Sequence, residues 1–264
     1  MEKAIDTRNI FENPKFTKRI KSMLRLDFYR LFRTPIFYIM VVVAACIPAL
    51  VLGMGGMANP QTGETGIVFD NVWQMIEAHS GSTAGLMDFS GMANINMLFI
   101  FAALLISVFV AHDYSSGFIK NIFTVHANKS DYIVSKTLVG LFGGLCMIVS
   151  YTLITIIVGA IMGKSFSLGD ANVGNLLLCL LSKAFLMGLF VPLYLSFAVL
   201  FKQRLWLTII ATFAAGIVFY PIAGIAVPLD STFLTLLMTT GIAMAGFFGI
   251  GALSTLILKK RDLT

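Results

Sequence analysis

The residues that could carry chemistry are few, and their spacing does not match a catalytic or metal site. The run from Gly159 to Ser165 resembles a phosphate-binding loop, but three residues separate its glycines where that loop needs four. Cys46, Cys146 and Cys179 lie inside apolar runs, where cysteine behaves as a small hydrophobic residue. No Cys or His pair has ligand spacing, and no nucleophile motif is present. The sequence therefore predicts a non-catalytic chain that holds no metal, nucleotide or other cofactor of its own.

One charged residue lies within the apolar runs. Lys183 is about ten residues from one end of its run, and no run contains Asp or Glu. Because a charge inside a membrane is costly, Lys183 is predicted to line a cavity or to pair across a dimer interface. The alternative is that its long side chain extends to the lipid headgroups. The missing carboxylates disfavour an ion-driven carrier, since such carriers commonly relay protons or sodium through intramembrane acids.

A polar segment between residues 111 and 124 interrupts two long apolar runs. Its apolar side chains recur at helical spacing, and its polar residues fall on the opposite face. The apolar set is Phe118, Ile119, Ile122 and Phe123, and the other set is Gly117, Lys120, Asn121 and Thr124. This pattern predicts a short amphipathic helix where the membrane meets water; a simple connector between two spans is the alternative.

The composition indicates that these side chains are positioned by an integral membrane protein. Of the 264 residues, 58% are hydrophobic and 12% are charged, whereas soluble domains have about 45–50% and about 25%. A hydrocarbon core of about 30 Å requires about 20 helical residues. The sequence predicts an all-α protein with six transmembrane helices in a domain from 35 to 258. The predicted spans are about 36–52, 93–111, 137–162, 173–200, 205–225 and 233–258.

The N-terminal segment 1–34 is basic and contains a predicted interfacial helix. Its apolar residues form a stripe with a spacing of three to four residues. The stripe consists of Ile20, Met23, Leu24, Phe28, Leu31 and Phe32. The predicted membrane-surface residues are Lys18, Lys21, Arg25, Arg30 and Arg33, which are available to lipid phosphates. A partner-binding helix is the alternative.

The distribution of Lys and Arg predicts the orientation of the chain. With six spans, 17 of the 19 basic residues fall on one side of the membrane. The positive-inside rule then predicts cytoplasmic termini, a cytoplasmic tail at 259–264, a cytoplasmic polar segment and an external loop at 53–92. Because the charges sort by side of the membrane, they do not indicate nucleic-acid binding. The predicted location is a bacterial plasma membrane.

The polar segment and the layout together resemble a known family. The segment contains an acidic residue that is followed, after three residues, by the pattern Gly–x–Ile–Lys–Asn. The residues of this pattern are Asp113, Gly117, Ile119, Lys120 and Asn121. This pattern resembles permease subunits of the ABC-2 type, the membrane halves of ATP-binding-cassette exporters. That family usually has Glu where this chain has Asp113, and Thr where it has Phe118.

The resemblance implies specific partners and contacts. A separate ATPase subunit would hold ATP and Mg, and residues 113–124 would form a coupling helix that docks into it. The implied ATPase contacts are Asp113, Tyr114, Ser115, Ser116, Gly117, Phe118, Ile119, Lys120, Asn121, Ile122 and Phe123, with a second contact at Lys202, Gln203 and Arg204. A second copy or a homologous permease would complete the pore, and Pro221–Pro228 would form a re-entrant outer segment.

The function implied by the resemblance is export by a permease that a partner drives. The size and layout resemble compact members that export amphipathic peptides such as phenol-soluble modulins or protect against lantibiotics. Two other classes stay open at this point: an ion-coupled carrier or channel, and a membrane scaffold that transports nothing. Rows of small residues at four-residue spacing, such as Gly140 with Gly144 and Gly241 with Ala245 and Gly249, predict close helix packing within the bundle or a dimer face.

Overall fold

The computed structural model describes residues 16–54, 71–76, 94–124, 128–168, 171–201 and 204–260. Helices make up almost all of these ranges. They are α1 (Phe16–Arg33), α2 (Pro35–Met54), α3 (Met97–Ser115), α4 (Phe118–Thr124), α5 (Lys129–Ile161), α6 (Val173–Phe201), α7 (Leu205–Ala226), α8 (Phe233–Ala245) and α9 (Gly251–Lys260). A 3₁₀ helix at Val72–Met75 precedes α3, and a π-helical turn at Gly246–Ile250 joins α8 to α9.

Five helices of the described chain are long and apolar enough to cross a membrane. They are Pro35–Gly53, Met97–Ser115, Lys129–Ile161, Val173–Phe201 and Phe233–Lys260, and Leu205–Val218 is a shorter apolar helix. The predicted fold class, an all-α integral membrane protein with about six spans, is confirmed.

Two helices extend beyond the predicted ends of their spans. The helix α3 continues to Ser115 and α5 already begins at Lys129, so both extend beyond the predicted ends at 111 and 137. Their extra turns contain charged side chains that find partners inside the protein, which hydropathy does not register. Residues 221–226, which belong to the implied re-entrant segment, are helical and continue α7 to Ala226.

The helix α6 lies at the centre of the bundle and packs against α3, α5, α7, α8 and α9. The helix α2 packs on the outer half of α5, and α1 packs on the first turns of α5. Close approach depends on small residues: a methyl group added at Gly140 would lie 2.7 Å from Val191 Cγ1. The row that begins at Gly140 therefore serves packing within the bundle. The row Gly241, Ala245 and Gly249 instead faces outward and is exposed.

The two ends of the bundle differ in composition. We call the end that holds α1, α4, the start of α7 and the end of α9 the basic end. At the opposite end the 3₁₀ helix packs into the bundle, with Val72 and Met75 fully buried. Trp73 Nε1 donates a hydrogen bond of 3.0 Å to the Phe166 carbonyl. Neutral groups therefore close the opposite end around the described part of the loop.

Candidate functional site

The polar segment predicted as one helix forms two helices joined by a turn. The helix α3 ends at Ser115, and the Ser116 and Gly117 amides donate hydrogen bonds to the carbonyls of His112 and Tyr114 at 3.0 and 3.2 Å. Gly117 has φ +69° with open space around it. Glycine is needed here because residues with a side chain rarely adopt this left-handed backbone conformation. The open space shows that close packing against a neighbour is not the reason. The turn redirects the chain into α4.

The helix α4 has an apolar inner face and a polar outer face. Ile119 is buried, and Phe118, Ile122 and Phe123 are half-buried. The exposed residues of the segment are His112, Ser115, Ser116, Lys120, Asn121 and Thr124. The inner face packs on the chain itself, as shown by the edge-to-face contact of Phe123 with Tyr132 at 5.8 Å between ring centroids. Only the polar face is thus open to another molecule.

Beneath α4 lies a network of four charged side chains from three helices. Lys136 of α5 pairs with Asp27 of α1 at 2.7 Å and with Asp113 of α3 at 2.6 Å. Arg30 of α1 pairs with Asp113 at 2.6 Å. Asp27, Asp113 and Lys136 are completely buried. Two acids and two bases balance their charges, which is the condition under which ionised groups are tolerated in an interior.

Neutral side chains also donate hydrogen bonds to the two acids. Tyr132 donates a hydrogen bond of 2.9 Å to Asp113 Oδ2, and Ser135 donates one of 2.6 Å to Asp27 Oδ2. We call Asp27, Arg30, Asp113 and Lys136, together with Tyr132 and Ser135, the charge network. A further pair, Arg19 with Asp131 at 2.9 Å, ties α1 to the first turn of α5.

The charge network contacts α4 through an aromatic ring. The Arg30 guanidinium carbon lies 3.7 Å from the centroid of the Phe118 ring, and Lys136 Nζ lies 3.9 Å from that of Phe109. A cation over an aromatic face is attracted by the ring quadrupole, more strongly when the cation is desolvated. The first residue of α4 is therefore fixed to α1, although 88 positions separate Arg30 from Phe118 in the chain.

The structure divides the residues predicted to lie on the membrane surface. Lys18, Lys21, Arg25 and Arg33 are exposed, whereas the side chain of Arg30 is 18% exposed and pairs with Asp113. The prediction for Arg30 is wrong because its guanidinium pairs with the buried carboxylate of Asp113. No pattern in the sequence indicated that these two residues lie close together.

Sequence reasoning assigned no site role to Asp27 or Lys136. A signal was present for Asp27: Met23, Asp27 and Leu31 are four residues apart, so the acid lies on the buried apolar stripe of α1. A carboxylate on such a stripe is rarely buried without a cationic partner. No comparable pattern in the sequence identified which cation that would be.

The second predicted ATPase contact is only partly described. Lys202 and Gln203 lie outside the described residues, and Arg204 is exposed just before α7. Nearby, Lys129 Nζ donates a hydrogen bond of 2.9 Å to the Leu258 carbonyl and so ties the start of α5 to the end of α9.

Lys183 lies in the interior, near the opposite end. Its ammonium donates to Asn96 Oδ1 at 2.8 Å and to the Val227 carbonyl at 3.1 Å, and the residue is 1% exposed. It therefore connects α6 with the start of α3 and the end of α7. Neither the predicted position at a dimer interface nor extension to the headgroups is compatible with this burial.

The fold and the site define a multi-pass helical membrane protein with a short amphipathic helix fixed at its basic end. A family model described as "ABC-2 family transporter protein" matches residues 23–219, well over half of the chain. The chain belongs to this family and is a membrane subunit of an ABC transporter. The matched region includes the charge network and α4. A search of curated proteins found no match.

Proposed function

We propose that this chain is the permease of an ABC exporter and that a separate ATPase docks on the polar face of α4. The observation that supports this most directly is the two-sided environment of α4. Its inner face is fixed to the spans, while its outer face presents only polar side chains, among them Lys120 and Asn121. A helix held in this way can transmit a partner's movement to α3 and α5 together.

The energy for transport comes from the partner in this proposal. The run from Gly159 to Ser165 lacks the spacing of a phosphate-binding loop, so ATP and Mg belong to the ATPase. To move a two-state equilibrium from 1:99 to 99:1, the partner must favour one state by about 5.5 kcal/mol. The charge network supports the transmission of such a bias, since short ion pairs join α1, α3 and α5 and Arg30 of that network contacts the Phe118 ring of α4.

The basic end is cytoplasmic in this proposal. Eight exposed basic residues are described at this end, whereas Lys164 at the opposite end is half-buried. They are Lys18, Lys21, Arg25, Arg33, Lys120, Arg204, Lys259 and Lys260. The positive-inside rule then supports cytoplasmic termini, with the α1 residues against anionic headgroups. The membrane in this proposal is a bacterial plasma membrane.

A second permease and the cargo complete the proposal. The exposed row Gly241, Ala245 and Gly249 supports close packing against another permease, either a copy of this chain or a homologue. The apolar spans support an amphipathic or hydrophobic cargo, such as a toxin or antimicrobial peptide, that enters from the membrane. An ion-coupled carrier or a scaffold would need neither the ATPase nor an exposed polar face on α4.

The test compares two identical substitutions at opposite ends of the bundle. Asn121→Trp places a bulky side chain on the polar face of α4, and Asn172→Trp places one at an exposed position of the opposite end. We expect Asn121→Trp to lower ATPase affinity at least about tenfold, because blocking a docking face removes more than about 1.4 kcal/mol of binding. Asn172→Trp should bind the ATPase as the unmodified chain does.

The measurement combines co-purification of the ATPase with export of an amphipathic helical peptide from the same cells. Export should decrease together with ATPase retention in Asn121→Trp and should persist in Asn172→Trp. If Asn121→Trp inserts normally, retains the ATPase and exports at the unmodified rate, α4 is a connector and the proposal is wrong.

A further inference from the structure

The charges at the basic end are sorted by sign and by depth. The acids described there are Asp27, Asp113 and Asp131, and each is buried, with an exposed fraction of 1% or less. All three are paired with Arg19, Arg30 or Lys136. The exposed charged residues described at this end are all Lys or Arg. The described acids of the basic end therefore do not offset the positive charge of its surface.

Lys120 has a distinct position within this cationic surface. It is the only charged residue of α4, whose sequence is FIKNIFT. Its neighbours on the polar face, Ser116, Asn121 and Thr124, are neutral and exposed. Within the described residues its ammonium takes part in none of the ion pairs, all of which use the buried acids. A cation is thus presented at the centre of the proposed docking face.

We infer that the ATPase surface that receives α4 is acidic and that one of its carboxylates pairs with Lys120. This inference rests on the proposed function and specifies the chemistry of the partner. Complementary charges across an interface accelerate encounter and exclude like-charged surfaces. Arg204, Lys259 and Lys260 at the neighbouring helix ends extend the same positive field.

A protein carboxylate fits this position better than a lipid headgroup. The inner face of α4 packs against the bundle through Ile119 and Phe123, so Lys120 lies on the side directed away from the spans. The exposed cations of α1, by contrast, share their helix face with the apolar Leu26, Tyr29 and Phe32, as residues at a membrane surface commonly do. The two cationic groups therefore have different surroundings.

The test measures the association rate of the ATPase with the full-length permease in nanodiscs. The variants are Lys120→Gln, Lys120→Glu and, as a control at the opposite end, Lys164→Glu. We expect the rate constant to fall at least about tenfold in Lys120→Glu, with an intermediate decrease in Lys120→Gln, because electrostatic steering contributes factors of about 10 or more. Raising the salt from about 50 to about 500 mM should reduce the rate for the unmodified chain more than for Lys120→Glu. Lys164→Glu should associate as the unmodified chain does.

The lipid composition separates the two sources of negative charge. In nanodiscs of neutral phosphatidylcholine the effect of Lys120→Glu should persist in full. If it appears only when phosphatidylglycerol is added, the anion is a headgroup and the inference is overturned. If the ATPase associates with Lys120→Glu and with the unmodified chain at the same rate, and salt changes neither rate, the inference is overturned while the proposed function stands. If the ATPase does not bind the unmodified chain, both are overturned.

Discussion

The basic end and the opposite end of the bundle hold their polar groups in different ways. At the basic end, ionised side chains from α1, α3 and α5 pair with one another over distances of 2.6 to 2.7 Å. At the opposite end, neutral hydrogen bonds predominate: Asn94 donates to the Tyr220 hydroxyl at 2.7 Å, and Trp73 donates to a backbone carbonyl. The buried apolar residues of the 3₁₀ helix complete that end.

The two ends therefore differ in the free-energy cost of deleting a single interaction. Removing one member of a buried ion pair costs about 3–5 kcal/mol, since the other charge is left without compensation. A neutral hydrogen bond contributes about 0.5–1.5 kcal/mol. Deleting one charged side chain of the network is therefore expected to cost more than deleting one neutral hydrogen bond at the opposite end. The end with the more costly single deletions is the one that holds α4.

The largest expected effect comes from removing the central cation of the charge network. Lys136→Met leaves Asp27 without its ion-pair partner in the interior, and we expect a loss of about 3–5 kcal/mol in the free energy of unfolding. Asp27→Asn in the same chain should restore part of the loss, because Asp113 keeps Arg30. Denaturation of the detergent-solubilised protein measures the change.

Lys120→Met is the matched control for this prediction. It removes the same type of side chain from an exposed position 16 residues away, and surface changes usually alter stability by less than about 0.5 kcal/mol. Equal losses for Lys136→Met and Lys120→Met would show that the charge network does not stabilise the basic end.

A smaller effect is expected at the two glycines with left-handed backbone, one at each end. Gly117 has φ +69° and Gly163 has φ +65°, and both have open space for a side chain. Gly→Ala at either position should cost about 1–2 kcal/mol of stability from backbone conformation alone. Because only Gly117 orients α4, only Gly117→Ala should also reduce cargo-dependent ATP hydrolysis.

ATP hydrolysis by the complex, measured with and without an amphipathic peptide, checks this distinction. Gly117→Asn should retain more coupling than Gly117→Ala, since Asn tolerates the left-handed region better than other non-glycine residues. If Gly163→Ala uncouples hydrolysis as strongly as Gly117→Ala, the two ends do not differ in the way described here.

The smallest effect is expected from a single neutral hydrogen bond at the opposite end. Trp73→Phe removes the indole donor to the Phe166 carbonyl while an aromatic ring remains, so we expect a loss of about 0.5–1.5 kcal/mol. Thermal unfolding of Trp73→Phe and Lys136→Met under the same conditions compares the two losses of stability directly. A loss as large as that of Lys136→Met would remove the energetic contrast between the ends.

Some of this architecture follows from the sequence alone. The long apolar runs required membrane-spanning helices, because a backbone in hydrocarbon must satisfy its own hydrogen bonds. The spacing of Phe118, Ile119, Ile122 and Phe123 required an apolar face on α4, since helical periodicity is local. These features depend only on neighbours within a few turns, so a single sequence was sufficient to predict them.

The tertiary structure alone decided where those helices end and what holds α4. Lys136 and Asp27 are 109 residues apart in the chain, and no local pattern pairs them. Hydropathy placed Asp113 and Lys136 outside the spans because each alone is a charge that membranes exclude. Once folding brings opposite charges within hydrogen-bonding distance, the same side chains become compatible with burial, and the helices continue through them. Asp113 and Lys136, which were predicted to lie outside the spans, are therefore buried in the charge network that contacts α4.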